Sequence, residues 1–141
     1  MLFPKKVKHR KWQTGRRNSK RPLTATRGAT LSFGSHGIKA TTACRVESKQ
    51  IESARKVIAR LVSKSGKMWT RIFPDRPFTQ KAAEVGMGKG KGDLQGYCFQ
   101  VEPGRIIFEV DGVTDAIARE ALRKAGTKLP VKTKVVVREH R

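Results

Sequence analysis

Cysteine, acidic residues and long apolar runs are all scarce in this chain, and each scarcity excludes a class of protein. The two cysteines, Cys44 and Cys98, are too few for a disulfide framework or a four-ligand zinc site, and they favour a reducing compartment. No apolar run approaches the ~20 residues that a bilayer span requires, so neither a membrane-spanning helix nor a secretory signal is expected. Asp and Glu number 11 against 32 Lys and Arg, which leaves a formal charge of +21. A protein with that excess is expected to bind a polyanion.

The basic residues are concentrated near the N-terminus. Residues 1–46 hold 12 Lys and Arg and no acid, and the densest part ends at residue 27. Pro4, Gly15 and Pro22 interrupt this stretch and discourage a long helix. We therefore expect two parts, a basic extended RNA-binding arm over residues 1–27 and one domain over residues 28–141. A solvated disordered tail and a mitochondrial transit peptide are the alternatives for the arm.

Hydrophobic periodicity in residues 28–141 predicts two helices and several strands. Residues 48–65 place their apolar positions on one arc, with Lys49, Lys56 and Arg60 on the opposite arc and Gly66 as the expected end. Residues 115–125 form a second, more neutral helical pattern. Strands are expected in residues 28–46 around a Gly34–Gly37 turn, in residues 67–73 and 131–139, and as a hairpin over residues 97–110 with a turn at residues 102–105. The fold class predicted is α+β, a two-layer sandwich in which two helices cover one antiparallel sheet.

Residues 80–96 are expected to form a long loop rich in glycine and lysine. Glycine occupies every second position from Gly86 to Gly92, with Lys89 and Lys91 between. The spacing fits neither the phosphate-loop pattern nor the dinucleotide-binding pattern, because the required glycines and Ser/Thr are missing. A flexible basic loop of this length is typical of a segment that a partner orders, and RNA is the partner expected here.

Catalytic and metal-binding patterns are not evident. The three histidines, His9, His36 and His140, have no pair at helical spacing and no carboxylate placed to orient one. Cys98 falls in an expected strand and is interpreted as a small core residue rather than a nucleophile. The sequence therefore predicts a protein that is not an enzyme, with no cofactor and no metal site.

Blocks of residues along almost the whole chain resemble one family, the universal large-subunit ribosomal proteins of the bacterial L sixteen type. The matching blocks, in chain order, are Met1-Leu2 with Pro4-Lys5, Lys8 to Lys11, Phe33-Gly34-Ser35, Gln50-Ile51-Glu52 with Ala54-Arg55, Gly66 to Trp69, Phe73-Pro74-Asp75, Met87 to Gly92, Pro103-Gly104, Ala118 to Ala121 and Lys128-Leu129-Pro130. Because the match includes residues 1–11, it argues against a cleaved transit peptide.

The resemblance implies a cytoplasmic structural constituent of the large ribosomal subunit that acts in translation. Its partners would be large-subunit ribosomal RNA, neighbouring ribosomal proteins and the aminoacyl-site transfer RNA, with the peptidyl-site transfer RNA as a further candidate. It also implies support of late subunit assembly. On the residues and the resemblance together, the expected ribosomal RNA contacts are Lys5, Lys6, Lys8, Arg10, Lys11, Arg16, Lys49, Arg55, Lys56 and Arg60. The expected loop near transfer RNA and the peptidyl transferase centre comprises Met87, Gly88, Lys89, Gly90, Lys91 and Gly92.

The chain departs from the family pattern at three places. Gly86 stands where many bacterial members have arginine, the linker between residues 16 and 33 is longer, and Glu47 replaces the usual helix-capping threonine. Two other functions stay open from the residues alone. One is a free RNA chaperone or double-stranded RNA binder, and the other is an enzyme that holds a nucleotide phosphate in the glycine-lysine loop.

Overall fold

The structure, a computed structural model, describes residues 1–15, 18, 20 and 23–139. Two helices and seven strands follow one another in the order β1 His36–Ala40, β2 Cys44–Glu47, α1 Ser48–Val62, β3 Lys67–Thr70, β4 Arg76–Gln80, β5 Asp93–Val101, β6 Ile106–Asp111, α2 Asp115–Gly126 and β7 Thr133–Val137. The α+β class is confirmed. None of the helices in the described part of the chain is long and apolar enough to cross a membrane.

Helix α1 begins where its sequence indicates and ends earlier than expected. At its start the Glu47 N–H donates to Gln50 Oε1 over 2.9 Å, so the residue that replaces the usual threonine takes part in a capping arrangement. The helix ends at Val62 and is capped by Ser63, whose φ is 55° and whose N–H bonds to Ala59 O. Gly66 is therefore not its terminator. A Cβ at Gly66 would lie 2.2 Å from Val62 Cγ1, so this glycine is required for close packing.

The strands form two antiparallel sheets, not the single sheet that was expected. One sheet has the order β3-β6-β1-β7 and the other has the order β2-β5-β4. Helix α2 packs on β1, β6 and β7, whereas α1 packs on α2 and contacts strands of both sheets. The buried core lies between these layers and includes Ile38, Ile51, Ile58, Phe108 and Leu122.

The expected hairpin over residues 97–110 is wrong, although its turn is correct. Arg105 N–H donates to Glu102 O over 3.2 Å and Gly104 has a φ of 95°, as a type II turn requires. Strands β5 and β6 nevertheless belong to different sheets. The reason is that β6 pairs with β1 on one edge and β3 on the other, which leaves no edge for β5.

Residues 28–35 cover the face of the four-stranded sheet that lies opposite the helices. Leu31 packs against Gly37, where a Cβ would lie 2.3 Å from the Leu31 side chain. Gly37 is therefore a strand residue in β1, paired with Glu109 and Val136, and not part of the turn that was expected there. Glycine is needed because the covering segment approaches the strand so closely.

Glu109 holds the covering segment in place. Its side chain is fully buried, and its carboxylate accepts the N–H groups of Ser32, Phe33 and Gly34, at 2.7 Å for the latter two. Arg71 completes the site as an ion pair. Burial by itself would raise the pKa of Glu109, but the bonds from Gly34, Phe33, Ser32 and Arg71 outweigh that effect and lower the pKa. The carboxylate is thus ionised at neutral pH and clamps the segment.

Candidate nucleic-acid interface

The first residues of the basic arm are attached to the body, and its cations point into solvent. Leu2 packs against the core, and its carbonyl accepts the Ser48 hydroxyl over 2.7 Å. Phe3 meets Tyr97 edge to face, with ring centroids 6.3 Å apart. Residues 1–15 contain no helix or strand, and the arm cations in that range are exposed apart from the half-buried Lys11. Arg16 lies outside the described residues.

The cations of α1 divide into a row and a separate ion pair. Lys49, Lys56 and Arg60 fall within about 20° of one direction at 100° per residue, and all three are exposed. Arg55 points about 120° away from that direction and bonds Glu52, with Nε to Oε2 at 2.9 Å and Nη2 to Oε1 at 2.6 Å. The row therefore presents three cations that form no ion pair with any side chain in the described ranges, while the charge of Arg55 is balanced by Glu52.

The ion pair with Arg55 controls the titration of Glu52. The hydrogen bond from Arg55 is the largest cause that lowers the pKa of Glu52, from 4.5 to about 2. A carboxyl whose folded pKa is lowered contributes stability that is present above its unfolded pKa and is lost as the pH falls through the folded value. The contribution of this pair is therefore present above about pH 4.5, declines below that pH and is lost as the pH falls below about 2.

We expect Glu52→Gln to lower Tm slightly at neutral pH, by about 1 to 2 °C, because an i,i+3 pair on a helix contributes about 0.5 kcal/mol. The difference between this variant and the parent protein should shrink from pH 4.5 downwards and vanish only below about pH 2. Thermal unfolding followed by circular dichroism across that range measures it. A Tm difference that does not change with pH would contradict the assignment.

The row on α1 ends near two cations that were not among the expected RNA contacts, Lys124 of α2 and Lys128, which follows that helix. Arg60 lines a groove together with Lys124 and Lys128, and Val57 and Leu61 form its apolar floor. Lys124 also pairs with Glu120 over 2.7 Å, so Arg60 and Lys128 are the groove's cations without an ion pair among the described side chains. A positive last turn of α2 was visible in the sequence, but its position beside Arg60 depends on helix packing.

The glycine-lysine loop is shorter than expected and closes a hairpin. Strands β4 and β5 pair up to Gln80 and Asp93, so the loop comprises residues 81–92 rather than 80–96. Strand β4 is not among the strands that the sequence predicts. Gly92 closes the hairpin tightly, since a Cβ there would lie 2.9 Å from the Gln80 carbonyl carbon.

The tip of the loop has a backbone that glycine makes possible. Gly88, Lys89 and Gly90 have φ values of 97°, 60° and 95°, three consecutive residues in the left-handed half of conformational space. Met87 is fully exposed, and Lys89 and Lys91 are exposed. Gly86 has open space around its Cβ position and no positive φ, so a side chain as large as arginine would fit there.

Arm and loop meet in the folded chain. The ammonium group of Lys91 bonds the carbonyl oxygen of Trp12, and the ammonium group of Lys81 bonds that of Gly88. Because Leu2 is also attached at the start of α1, the arm runs from the helix row to the loop. The structure thus brings together three basic segments that are far apart in the sequence.

One histidine has the carboxylate partner that the sequence did not indicate. His36 is buried, and its ring bonds Ser35 Oγ over 2.9 Å and Asp115 Oδ1 over 2.7 Å. Asp115 also accepts from Arg119, and the bonds from His36 and then Arg119 lower the pKa of Asp115. The expectation that no carboxylate orients a histidine is therefore wrong. The contact spans 79 positions and ties the start of β1 to the first turn of α2.

Cys98 has the structural role assigned to it. It is 1% exposed, and burial is the main cause that raises the pKa of its thiol. A thiol with a raised pKa carries little thiolate at neutral pH and is a poor nucleophile. No group of three or more His, Cys, Asp and Glu side chains within the described ranges could hold a metal ion.

Comparison with known proteins places these features in one family. The family model described as ribosomal protein L16p/L10e matches residues 4–136. The large ribosomal subunit protein uL16 of Halorhodospira halophila is 50% identical over 138 residues, which cover 98% of each chain. The chain carrying this anchored basic arm, helix row and glycine-lysine loop therefore belongs to the ribosomal protein L16p/L10e family.

Proposed function

We propose that this protein is a structural, non-enzymatic constituent of the large ribosomal subunit in the cytoplasm. The observation that carries the proposal is the match to the ribosomal family over nearly the whole chain. In this function the protein binds large-subunit ribosomal RNA, contacts neighbouring ribosomal proteins, supports late assembly of the subunit and contacts aminoacyl-site transfer RNA during translation.

The charge distribution supports a division of roles between the basic segments. The arm of residues 1–27 and the row on α1 bind ribosomal RNA, because clustered free cations gain affinity by releasing counterions from phosphates. Exposure of Lys5, Lys6, Lys8 and Arg10 leaves these side chains available for phosphate contacts. Arg55 acts there only if RNA competes with Glu52 for its guanidinium group.

The loop serves transfer RNA near the peptidyl transferase centre. Its glycine backbone lets it approach another backbone closely, and two lysines with a fully exposed Met87 stand at its tip. The bond from Lys91 to the arm carbonyl of Trp12 couples the loop's position to the path of the arm. When the arm binds ribosomal RNA, this bond would thereby help to fix the position of the loop.

Co-sedimentation with large subunits at moderate salt tests the proposal. The protein should migrate with the large subunit in lysates and bind cognate ribosomal RNA more tightly than arbitrary duplexes. A protein found only in the free pool, or one that binds any RNA duplex equally well, would instead indicate a free RNA chaperone.

Lys89→Ala combined with Lys91→Ala should weaken transfer RNA binding to reconstituted subunits roughly tenfold while leaving subunit incorporation nearly unchanged, because two cations of the loop are removed while those of the arm and the helix row remain. Filter binding of transfer RNA and subunit occupancy are measured in parallel. The matched control is Arg123→Ala with Lys132→Ala, which removes two exposed cations from the body. Equal losses in both measurements would contradict the assigned role of the loop.

A further inference from the structure

An exposed aromatic ring on the covered face of the four-stranded sheet is stacked on two other side chains. Phe33 lies on Trp69 with ring centroids 6.0 Å apart and planes 19° apart, and the Arg71 guanidinium is 5.1 Å from the Phe33 ring centroid. Trp69 and Arg71 are two residues apart on one extended run, since Arg71 N–H continues the β3 pairing to Ile107 O. Both therefore contact Phe33 from the strand side. Phe33 nevertheless remains 54% exposed, so about half of its surface is open to a ligand.

The ring is held in position by its own backbone. The N–H groups of residues 32–34 bond the buried Glu109 carboxylate, and Glu109 bonds Arg71 in turn. Gly34 packs so closely that a Cβ would lie 2.6 Å from Val110 O. An exposed aromatic side chain fixed in this way loses little conformational freedom on binding, which favours affinity.

We propose that Phe33, supported by Trp69 and Arg71, is a stacking platform for one unpaired nucleotide base of large-subunit ribosomal RNA. The inference rests on the proposed function and adds a binding site outside the arm, the helix row and the loop. Stacking on an aromatic face is tolerant of base identity, so the platform selects an unstacked base rather than a particular sequence.

The charges around the platform favour a nucleotide as its occupant. Lys67 is exposed and shares the sheet face of Trp69, while Arg138 donates to the carbonyl of Leu31, two residues before Phe33. Two acids lie nearby. The Glu109 carboxylate is buried and occupied by its own hydrogen bonds, and Asp111, which pairs with Lys67 across the strands, accepts from the Gly112 N–H. Phosphates on either side of a stacked base would thus meet Lys67 and Arg138.

Binding of a labelled single-stranded oligoadenylate, measured by fluorescence anisotropy over a series of salt concentrations, tests the platform. Phe33→Leu should weaken binding roughly tenfold at every salt concentration with an unchanged salt slope, because a stacking contact is lost and no phosphate contact is. Phe33→Trp should bind as the parent protein does. The matched control is Phe73→Leu, the same change at a ring that is 42% exposed and outside the stack.

Two results would overturn the platform: parental affinity in Phe33→Leu, or equal weakening by Phe33→Leu and Phe73→Leu. A second measurement does not depend on either variant folding. In a Trp12→Phe protein, Trp69 is the remaining tryptophan of the two in the chain, and its emission should change as oligoadenylate saturates. Unchanged emission at saturation also counts against the platform. Failure of the proposed function would show separately, as absence of the parent protein from large subunits.

Discussion

Glu109→Gln should destabilise this protein by about 3 to 5 kcal/mol, the largest loss expected from any single substitution considered, because it leaves the Arg71 charge without its buried partner. Glutamine keeps one acceptor oxygen, but its amide group donates and cannot serve all three N–H groups of residues 32–34. Since domains of this size are stable by about 5 to 15 kcal/mol, the variant should be near the limit of folding. Urea unfolding followed by circular dichroism measures the free energy.

The matched control is Glu120→Gln, which removes an exposed carboxylate paired with Lys124 and should change stability little. Acid provides a second check. Because the folded pKa of Glu109 is lowered, its contribution is present at neutral pH and is lost as the pH falls through that folded value. The difference between parent and Glu109→Gln should therefore shrink in acid. If Glu109→Gln is as stable as the parent at neutral pH, the bonds of Glu109 to Arg71 and residues 32–34 are not needed for stability.

Replacing five arm cations by glutamine should weaken ribosomal RNA binding roughly a thousandfold at 0.1 M salt. The five cations are Lys5, Lys6, Lys8, Arg10 and Lys11. The salt slope of binding should fall by about 3 to 4, since each phosphate contact on a single strand contributes about 0.7 to that slope. Subunit incorporation should fall accordingly. Filter binding over a salt series and gradient sedimentation are the measurements.

Substitution is a sharper test than truncation of residues 1–11. Truncation would also delete Leu2 and Phe3, which pack on the core and on Tyr97, and would remove the carbonyl that accepts from Ser48. The glutamine variant keeps these anchors, so its unfolding curve should match that of the parent. The control, Arg123→Gln with Lys132→Gln, measures how much RNA-binding affinity is lost per charge when exposed cations of the body are removed. If the arm variant loses no more binding affinity per charge than this control, the arm has no special role in RNA binding.

The Glu109 variant and the arm variant test stability and RNA binding separately. Glu109 holds Phe33 over Trp69 and Arg71, so loss of the carboxylate should also disturb the proposed stacking platform. The arm, by contrast, contributes cations whose substitution leaves the core intact. The two largest expected effects therefore separate a defect in folding from a defect in RNA binding.

Local features of this protein were determined by the sequence alone. The two helices follow from apolar spacing, the turn at residues 102–105 follows from Pro103 and Gly104, and a glycine-lysine loop is present, although it is shorter than composition predicted. Each depends on residues a few positions apart, where conformational preference and hydrophobic periodicity act directly. Helix α1 ends at Val62 and not just before Gly66, which shows the limit of this reasoning, because Gly66 is required for close packing against Val62 and does not end the helix.

Only the tertiary structure decided which strands pair and which charges meet. The separation of β5 from β6, the burial of Glu109 beneath residues 32–34, the bond of His36 to Asp115 and the contact of Lys91 with the arm all join residues far apart in the chain. A strand's period of two marks which side chains share a face but carries no information about its partner. The partner was settled by competition for sheet edges and by the need to satisfy buried polar groups, both properties of the whole fold.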